Sequence, residues 1–340
     1  MRAKLGGVTP PNFSFWPQGC SVMATVELLY ASNEAKDYGR ISASEAFLRR
    51  RLITGWIVRG ILFLAAALSV LITASIVYIL VYESILFFRE VSIVDFLTDT
   101  EWTPVFENPR FGIMTLVSGT LMTTFIGLVV AVPAGTILAI YLSEFAKQRV
   151  REAVKPILEL LAGVPTVAFG YFALFFLTPI FQIFIPGLSG FNLLVPGIVI
   201  GIMILPYIVS VAEDAMRAVP NPLREGAYAL GFTRLQTALG VIIPGAFSGV
   251  TAAYLLGMSR AVGETMVVAI AAGQQARLAY DPLEGAATIT AYIVQISLGD
   301  VPHNSLAYQT IFAAGLMLFL ITLVFNLIAF WLRRKYREVY

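Results

Sequence analysis

Arg260 and Glu264 stand inside an apolar stretch of a 340-residue chain, in the run Ser259-Arg260-Ala261-Val262-Gly263-Glu264-Thr265. Read as helix, that spacing puts the two side chains one turn apart on one face. A charge at the centre of a membrane helix costs roughly 2.5–3.5 kcal/mol on the mildest scale, so a partner or a water-filled path must offset it. Arg before Glu is the poorer order for such a pair, which weakens helix stability as its sole reason. A guanidinium presents a planar fork of donors suited to phosphate-like oxyanions. Glu264 would neutralise it at rest and accept the proton of a P–OH group, which sulfate lacks near neutral pH. Two readings stay open: an anion contact along a translocation path, or a buried ion pair tying this segment to its neighbours.

The elements that must position this pair are membrane helices. Hydrophobic residues make up 58% of the chain and charged residues 13%, against roughly 25% charged in ordinary soluble domains. A spanning helix needs about 20 mostly apolar residues. Six such runs are present, at 60–82, 111–142, 157–185, 193–212, 242–272 and 309–332. The ten-residue alternation of an outer-membrane barrel is absent. The fold class is therefore all-α, a polytopic membrane protein with six transmembrane helices. A straight fifth span would carry Arg260 past the bilayer centre, toward the outer half. Cys20 is the single cysteine, which excludes an internal disulfide or a cysteine metal cluster. His303 is also alone, on a predicted loop, and reads as solvated.

Lys and Arg bias orients the spans. Lys36, Arg40 and Arg49–Arg51 precede span one; Lys147, Arg149, Arg151 and Lys155 follow span two. Arg217, Arg224 and Arg234 follow span four, and Arg333, Arg334, Lys335 and Arg337 end the chain. The alternate loops are acidic or neutral, so both termini are expected in the cytoplasm. Residues 1–52 form a cytoplasmic tail; 1–22, rich in Pro and Gly without periodicity, read as disordered, and Met23 is a second candidate start. Residues 42–52 read as a helix with Arg49–Arg51 at anionic headgroups. Residues 53–340 form the six-span domain, with an outer loop at 89–112 and a cytoplasmic loop at 213–244. Phe96, Trp102, Phe106 and Phe111 in the outer loop are expected in the interfacial aromatic belt. Thr120, Thr123 and Thr124 in span two line the path or bond between spans.

The 213–244 loop predicts a helix–turn–helix hairpin. Pro220 and Pro222 stop the helix leaving span four, a short helix runs from Leu223 to Leu230, Gly231 turns it, and a second begins at Thr233. Gly226 and Ala227 permit close backbone approach, and Glu225 supplies one fixed charge. Such a hairpin fits a cleft of another protein.

Glu225-Gly226-Ala227, then Gly231, then Val241-Ile242-Ile243-Pro244 resembles the Glu-Ala-Ala loop of ABC importer permeases, with Gly226 in place of the second Ala. The resemblance implies a type I importer fold, with Glu225, Gly226, Ala227 and Gly231 coupling to a separate ATPase. No Gly-x-x-x-x-Gly-Lys-[Ser/Thr] phosphate loop is present in the chain itself. Arg260-Ala261-Val262-Gly263-Glu264-Thr265 and Glu159-Leu160-Leu161-Ala162-Gly163-Val164-Pro165-Thr166 are similar to segments of the phosphate-specific permeases. The run Phe96–Pro104 with Phe111-Gly112 resembles the PstC-type subunit rather than the PstA-type.

These resemblances imply a non-enzymatic subunit of a phosphate importer in the bacterial inner membrane, with Arg260 and Glu264 as path residues. They imply as partners a PstA-like second permease, two copies of an ABC ATPase that bind ATP and Mg, and an extracytoplasmic phosphate-binding protein. No nucleic acid and no cofactor of the chain's own is expected. The rival readings are an importer of sulfate, molybdate or another oxyanion, and a stand-alone ion-coupled anion transporter or channel.

Overall fold

The computed structural model describes residues 45–302 and 305–335, all helix and loop apart from one isolated bridge between Trp102 and Phe111. The expectations for residues 1–44, Cys20, Met23, His303 and Arg337 lie outside the described residues. The chain divides into two units, Met1–Thr73 and Ala74–Tyr340. The described part of the first unit is the opening of a single helix, α1 (Glu45–Glu90), whose residues from Ile53 through Thr73 are all exposed. Apolar residues all round a helix of this length are the pattern of a membrane span.

Within the second unit, α2 (Ile93–Thr98) is a single turn capped by Ser92, whose hydroxyl accepts the Val94 N–H. It is followed by α3 (Met114–Ile140), which ends in a π-turn at Tyr141–Phe145. Next come α4 (Gln148–Ala162), then α5 (Thr166–Tyr171) and α6 (Thr178–Phe184), joined by a π-helical stretch at Phe172–Leu177. The central helix is α7 (Leu194–Arg217). The hairpin helices α8 (Asn221–Ala229) and α9 (Arg234–Thr237) lead through a π-turn to α10 (Ile243–Gly245) and α11 (Phe247–Val262). Last are the short α12 (Met266–Ala271) and α13 (Ile289–Leu298), then α14 (Leu306–Lys335).

Among the described residues, five helices are long and apolar enough to cross a membrane: Ile53–Glu90, Met114–Phe145, Thr166–Phe184, Leu194–Arg217 and Leu306–Leu332. A sixth crossing forms if Arg234–Gly245 and Phe247–Val262 are taken together, although they meet at 77°.

Three expectations change. The third span starts at Thr166, not 157, because Gly163 caps α4 and Pro165 opens α5. Residues 148–162 form a separate amphipathic helix with no buried residue. The fifth span, expected as 242–272, breaks at Ala246 and again at Gly263, where the chain leaves helical geometry. Phe96 and Trp102 of the outer loop are buried within the protein rather than presented at its surface. Phe96 and Trp102 are 3% exposed and pack edge-to-face with Phe87, Phe111 and Tyr292, so the loop folds over a small core of its own. Phe106, by contrast, is exposed.

α7 is the most buried span, and glycines let α3 reach it. A Cβ on Gly201 would lie 2.7 Å from the Gly127 carbonyl oxygen; one on Gly197 would lie 2.7 Å from the Ile126 Cβ. Without a hydrophobic drive between helices in lipid, such close backbone approach supplies the packing that holds spans together. Gly201→Val forces that contact apart at a cost of about 1–3 kcal/mol. It is expected to lower the thermal transition of the detergent-purified complex or prevent its accumulation. Gly226→Ala, where a Cβ meets nothing within 4 Å, is expected to leave that transition in place. Size-exclusion profiles recorded after heating check both.

Candidate functional site

Arg260 sits thirteen residues into α11, and its side chain is exposed on the surface of this chain. Among the described residues, no carboxylate lies within ion-pair distance of it. Its guanidinium instead lies over the Tyr207 ring of α7, 4.7 Å from the centroid, a contact worth roughly 0.5–2 kcal/mol. Tyr207 is ten residues, about 15 Å of helical rise, from the C-terminal end of α7. The straight fifth span on which the expected depth rested is bent by 77°.

Glu264 does not share a helical face with Arg260, because α11 ends at Val262 and Gly263 starts the break. The expected ion pair is therefore not formed. Glu264 is 7% exposed and turns toward α12, where an Oε1 accepts the Val267 N–H at 3.4 Å. Its backbone carbonyl accepts the Thr290 hydroxyl at 2.7 Å. The carboxylate thus stabilises the start of α12, satisfying backbone that a helix break would otherwise leave unpaired in lipid. Thr120, Thr123 and Thr124 are buried and donate to carbonyls of their own helix; Thr120 also accepts the Ile289 N–H at 3.0 Å. Of the three, Thr120 is the one that joins its helix to another segment.

The hairpin follows from local rules. Gly231 has φ +82°, its N–H bonds the Tyr228 carbonyl at 2.9 Å, and the Phe232 N–H bonds the Ala227 carbonyl at 3.1 Å. That is a Schellman ending, which favours glycine at the turn. Thr233 and Gln236 then form a reciprocal capping box that restarts the chain as α9. Glu225 and Gly226 are exposed, whereas Ala227 faces inward at 5% exposure. Around them Tyr228, Leu230, Phe232, Leu235 and Leu239 are exposed large apolar side chains.

Sequence reasoning missed the polar network that anchors this hairpin. Glu213, near the end of α7, has no exposed side-chain surface. Lys155 Nζ lies 2.5 Å from its Oε2, with Arg151 at 3.4 Å and Arg217 at 3.6 Å from Oε1. Lys155 also reaches Asp214 at 3.3 Å. Arg151 donates to the Leu142 carbonyl, and Arg224 on α8 pairs with Glu144 of the π-turn at 3.3 Å. The hydrogen bond to Glu213 raises the Lys155 pKa above 10.5 despite partial burial. The one signal in the sequence was an apolar helix running without interruption into Glu213, with Arg217 at the next turn.

Residues 131–338 match the family described as the binding-protein-dependent transport system inner membrane component. The chain belongs to this family. It is 34% identical over 285 residues to a probable ABC transporter permease protein, YqgH, of Bacillus subtilis, covering 82% of this chain and 92% of that one. It is 35% identical over 256 residues to the phosphate transport system permease protein PstC of Mesorhizobium japonicum, covering 69% and 76%. A relative in Mycobacterium tuberculosis, PstC 1, is 33% identical over 271 residues, covering 69% and 80%. Within the family the permease is of the PstC type.

The bacterial alginate ABC transporter superposes with a TM-score of 0.58 at 17% identity, covering 86% of this permease and 99% of that chain. The inward-facing MetNI methionine transporter superposes with a TM-score of 0.50 at 18% identity, covering 67% and 95%. These likenesses show the importer permease fold. The permease is a transport subunit of an ABC importer, coupled to an ATPase.

Lys155 makes the shortest of three cation contacts to the buried Glu213, and weakening the pairing of a buried charge is costly, whereas removing both charges is often tolerated. Lys155→Met is therefore expected to lower the thermal transition of the complex, and Lys155→Met with Glu213→Leu to recover part of the loss. Because the lysine pKa is raised, its contribution is full below 10.5 and declines only as pH rises through the higher folded value. Melting curves across neutral pH should accordingly show the contact intact.

Proposed function

We propose that the permease is the PstC-like half of an ATP-driven phosphate importer in the bacterial inner membrane, with both termini in the cytoplasm. A PstA-like chain completes the pathway, two ATPase subunits grip the hairpins, and an extracytoplasmic binding protein delivers phosphate. The observation that carries the anion reading is Arg260. It is a guanidinium exposed on an otherwise apolar helix, held on an aromatic ring and free of any paired carboxylate among the described residues. Its donors stay available to an oxyanion in transit, and a ring neutralises less of the charge than a carboxylate would. Phosphate, rather than another oxyanion, is supported by the likeness to PstC proteins.

Glu264 supports the wall beside Arg260 through α12 rather than acting as its counter-charge. Glu225, Gly226 and Gly231 belong to the surface that meets the ATPase, together with the exposed apolar side chains that flank them, and Ala227 packs the hairpin from within. ATP-driven closure of the ATPases would press on that hairpin and reach α7 through Arg224, Glu144 and the Glu213 network.

Uptake of labelled phosphate by the reconstituted complex, with sulfate and molybdate as competitors, tests the substrate. Competition by sulfate or molybdate as strong as that by unlabelled phosphate would move the assignment to another oxyanion. Arg260→Gln is expected to abolish uptake while the complex still assembles; loss of assembly would instead make Arg260 a structural residue. Gly231→Val places a β-branched residue at positive φ, at a cost of about 1–2 kcal/mol. It is expected to uncouple ATP hydrolysis from uptake, and unchanged transport would remove the hairpin from coupling.

A further inference from the structure

Between α4 and the C-terminal half of α7 lies a cavity of about 390 Å³. Its lining begins at Tyr207, whose ring carries Arg260, and reaches Ser210, Asp214, Lys155 and Glu159. Offsets of three and seven residues from Tyr207 put Ser210 and Asp214 on one helical face. That face is distinctive in α7. Ile204, Ile208, Val209, Ala212 and Met216 are buried, whereas Ser210 is exposed and the Asp214 side chain is 67% exposed. A polar stripe on a spanning helix is costly against lipid and belongs against water or a polar pathway.

We propose that this cavity is the inward exit chamber of the anion path, with Tyr207 positioning Arg260 at its mouth. The inference rests on the anion reading of Arg260 and extends it. An anion leaving Arg260 would pass Tyr207 and Ser210, then emerge where Asp214 and Lys155 meet solvent. Lys155 is the one cation among the residues lining the chamber, and Glu213 and Asp214 already hold it. Arg151 and Arg217 approach Glu213 from outside that lining. A path must release what it conducts, and an exit whose cation is already paired does not retain a phosphate. The buried Glu213 network keeps α4 against α7 and so preserves the chamber's far wall.

The test uses the reconstituted complex carrying Cys20→Ser and Ser210→Cys, so that the introduced thiol is the permease's only one, probed with a membrane-impermeant thiol reagent from the ATPase side. Labelling is expected in the nucleotide-free state. It is expected to slow about tenfold or more when ATP and vanadate hold the ATPases closed, as the inward-open population is displaced. Modification should also lower phosphate uptake severalfold relative to the same variant left unmodified. No labelling in either state would mean that a neighbouring subunit or lipid seals this face, and would overturn the proposal. Labelling that ignores nucleotide and leaves uptake unaltered would reduce the cavity to an idle crevice.

Tyr207→Leu is expected to raise the KM for phosphate about tenfold. Tyr207→Phe, which keeps the ring, should restore most of that loss. Equal losses in both variants would overturn the ring's role. Nucleotide-gated labelling reads conformation, not substrate. If it persists while phosphate uptake proves absent, the chamber stands and the phosphate assignment fails.

Discussion

The backbone contact between α3 and α7 is the constraint on which the rest depends. Gly127, Gly197 and Gly201 lack a Cβ, so carbonyls and the Ile126, Val130 and Ile200 side chains of one helix lie directly against the backbone of the other. In lipid this packing replaces the hydrophobic drive that orders soluble cores. Because it holds α7 rigidly at the centre, every functional feature can hang from that helix: Tyr207 with Arg260 upon it, Ser210 and Asp214 along one stripe, Glu213 at the inner end, and the hairpin that follows. A shift of α7 would move all of them together.

Breaks in the helices impose a second condition. Unpaired peptide groups are costly in a bilayer, so each interruption must be satisfied from within the protein. The break after Val262 is closed by the Glu264 carboxylate on the Val267 N–H and by the Thr290 hydroxyl on the Glu264 carbonyl. The Thr120 hydroxyl accepts the N–H of Ile289 at the start of α13, and the Asn192 side chain caps α7 by accepting the Val195 N–H at 2.8 Å. These threonines, asparagine and glutamate hold non-helical backbone in place, and Glu264 is thereby engaged in shaping the site rather than in opposing the charge of Arg260.

Guanidinium contacts join the hairpin to α7 and α4 to the π-turn. Arg224 on α8 grips both the Met216 carbonyl and Glu144, while Arg151 on α4 grips the Leu142 carbonyl and approaches Glu213. Guanidinium groups serve this purpose because their fixed fork bonds to two groups at once with little added entropy cost. On the proposed coupling, motion imposed on the exposed apolar tip at Leu230 and Phe232 would reach α7 through these contacts.

Local rules made much of this protein legible from its residues alone. Apolar run length identified the spans, Pro220 and Gly231 marked the hairpin, and the Glu225–Pro244 spacing carried the family resemblance. Those features depend on neighbours a few residues apart, which a linear sequence displays. Where the reading went astray, distant contacts decided. Residues 157–162 are apolar enough to extend span three, yet Gly163 and Pro165 cut them off and Lys155 holds their helix to Glu213 and Asp214 of α7. Arg260 and Glu264 have the spacing of a helical pair, yet a break at Gly263, paid for by a hydroxyl 26 residues away, sends Glu264 to α12 and leaves Arg260 to Tyr207. Spacing determined that a cation would stand within the membrane domain; only the packing of α11 on α7 decided what holds it, because a ring and a carboxylate compete for a guanidinium through geometry that no one-dimensional pattern contains.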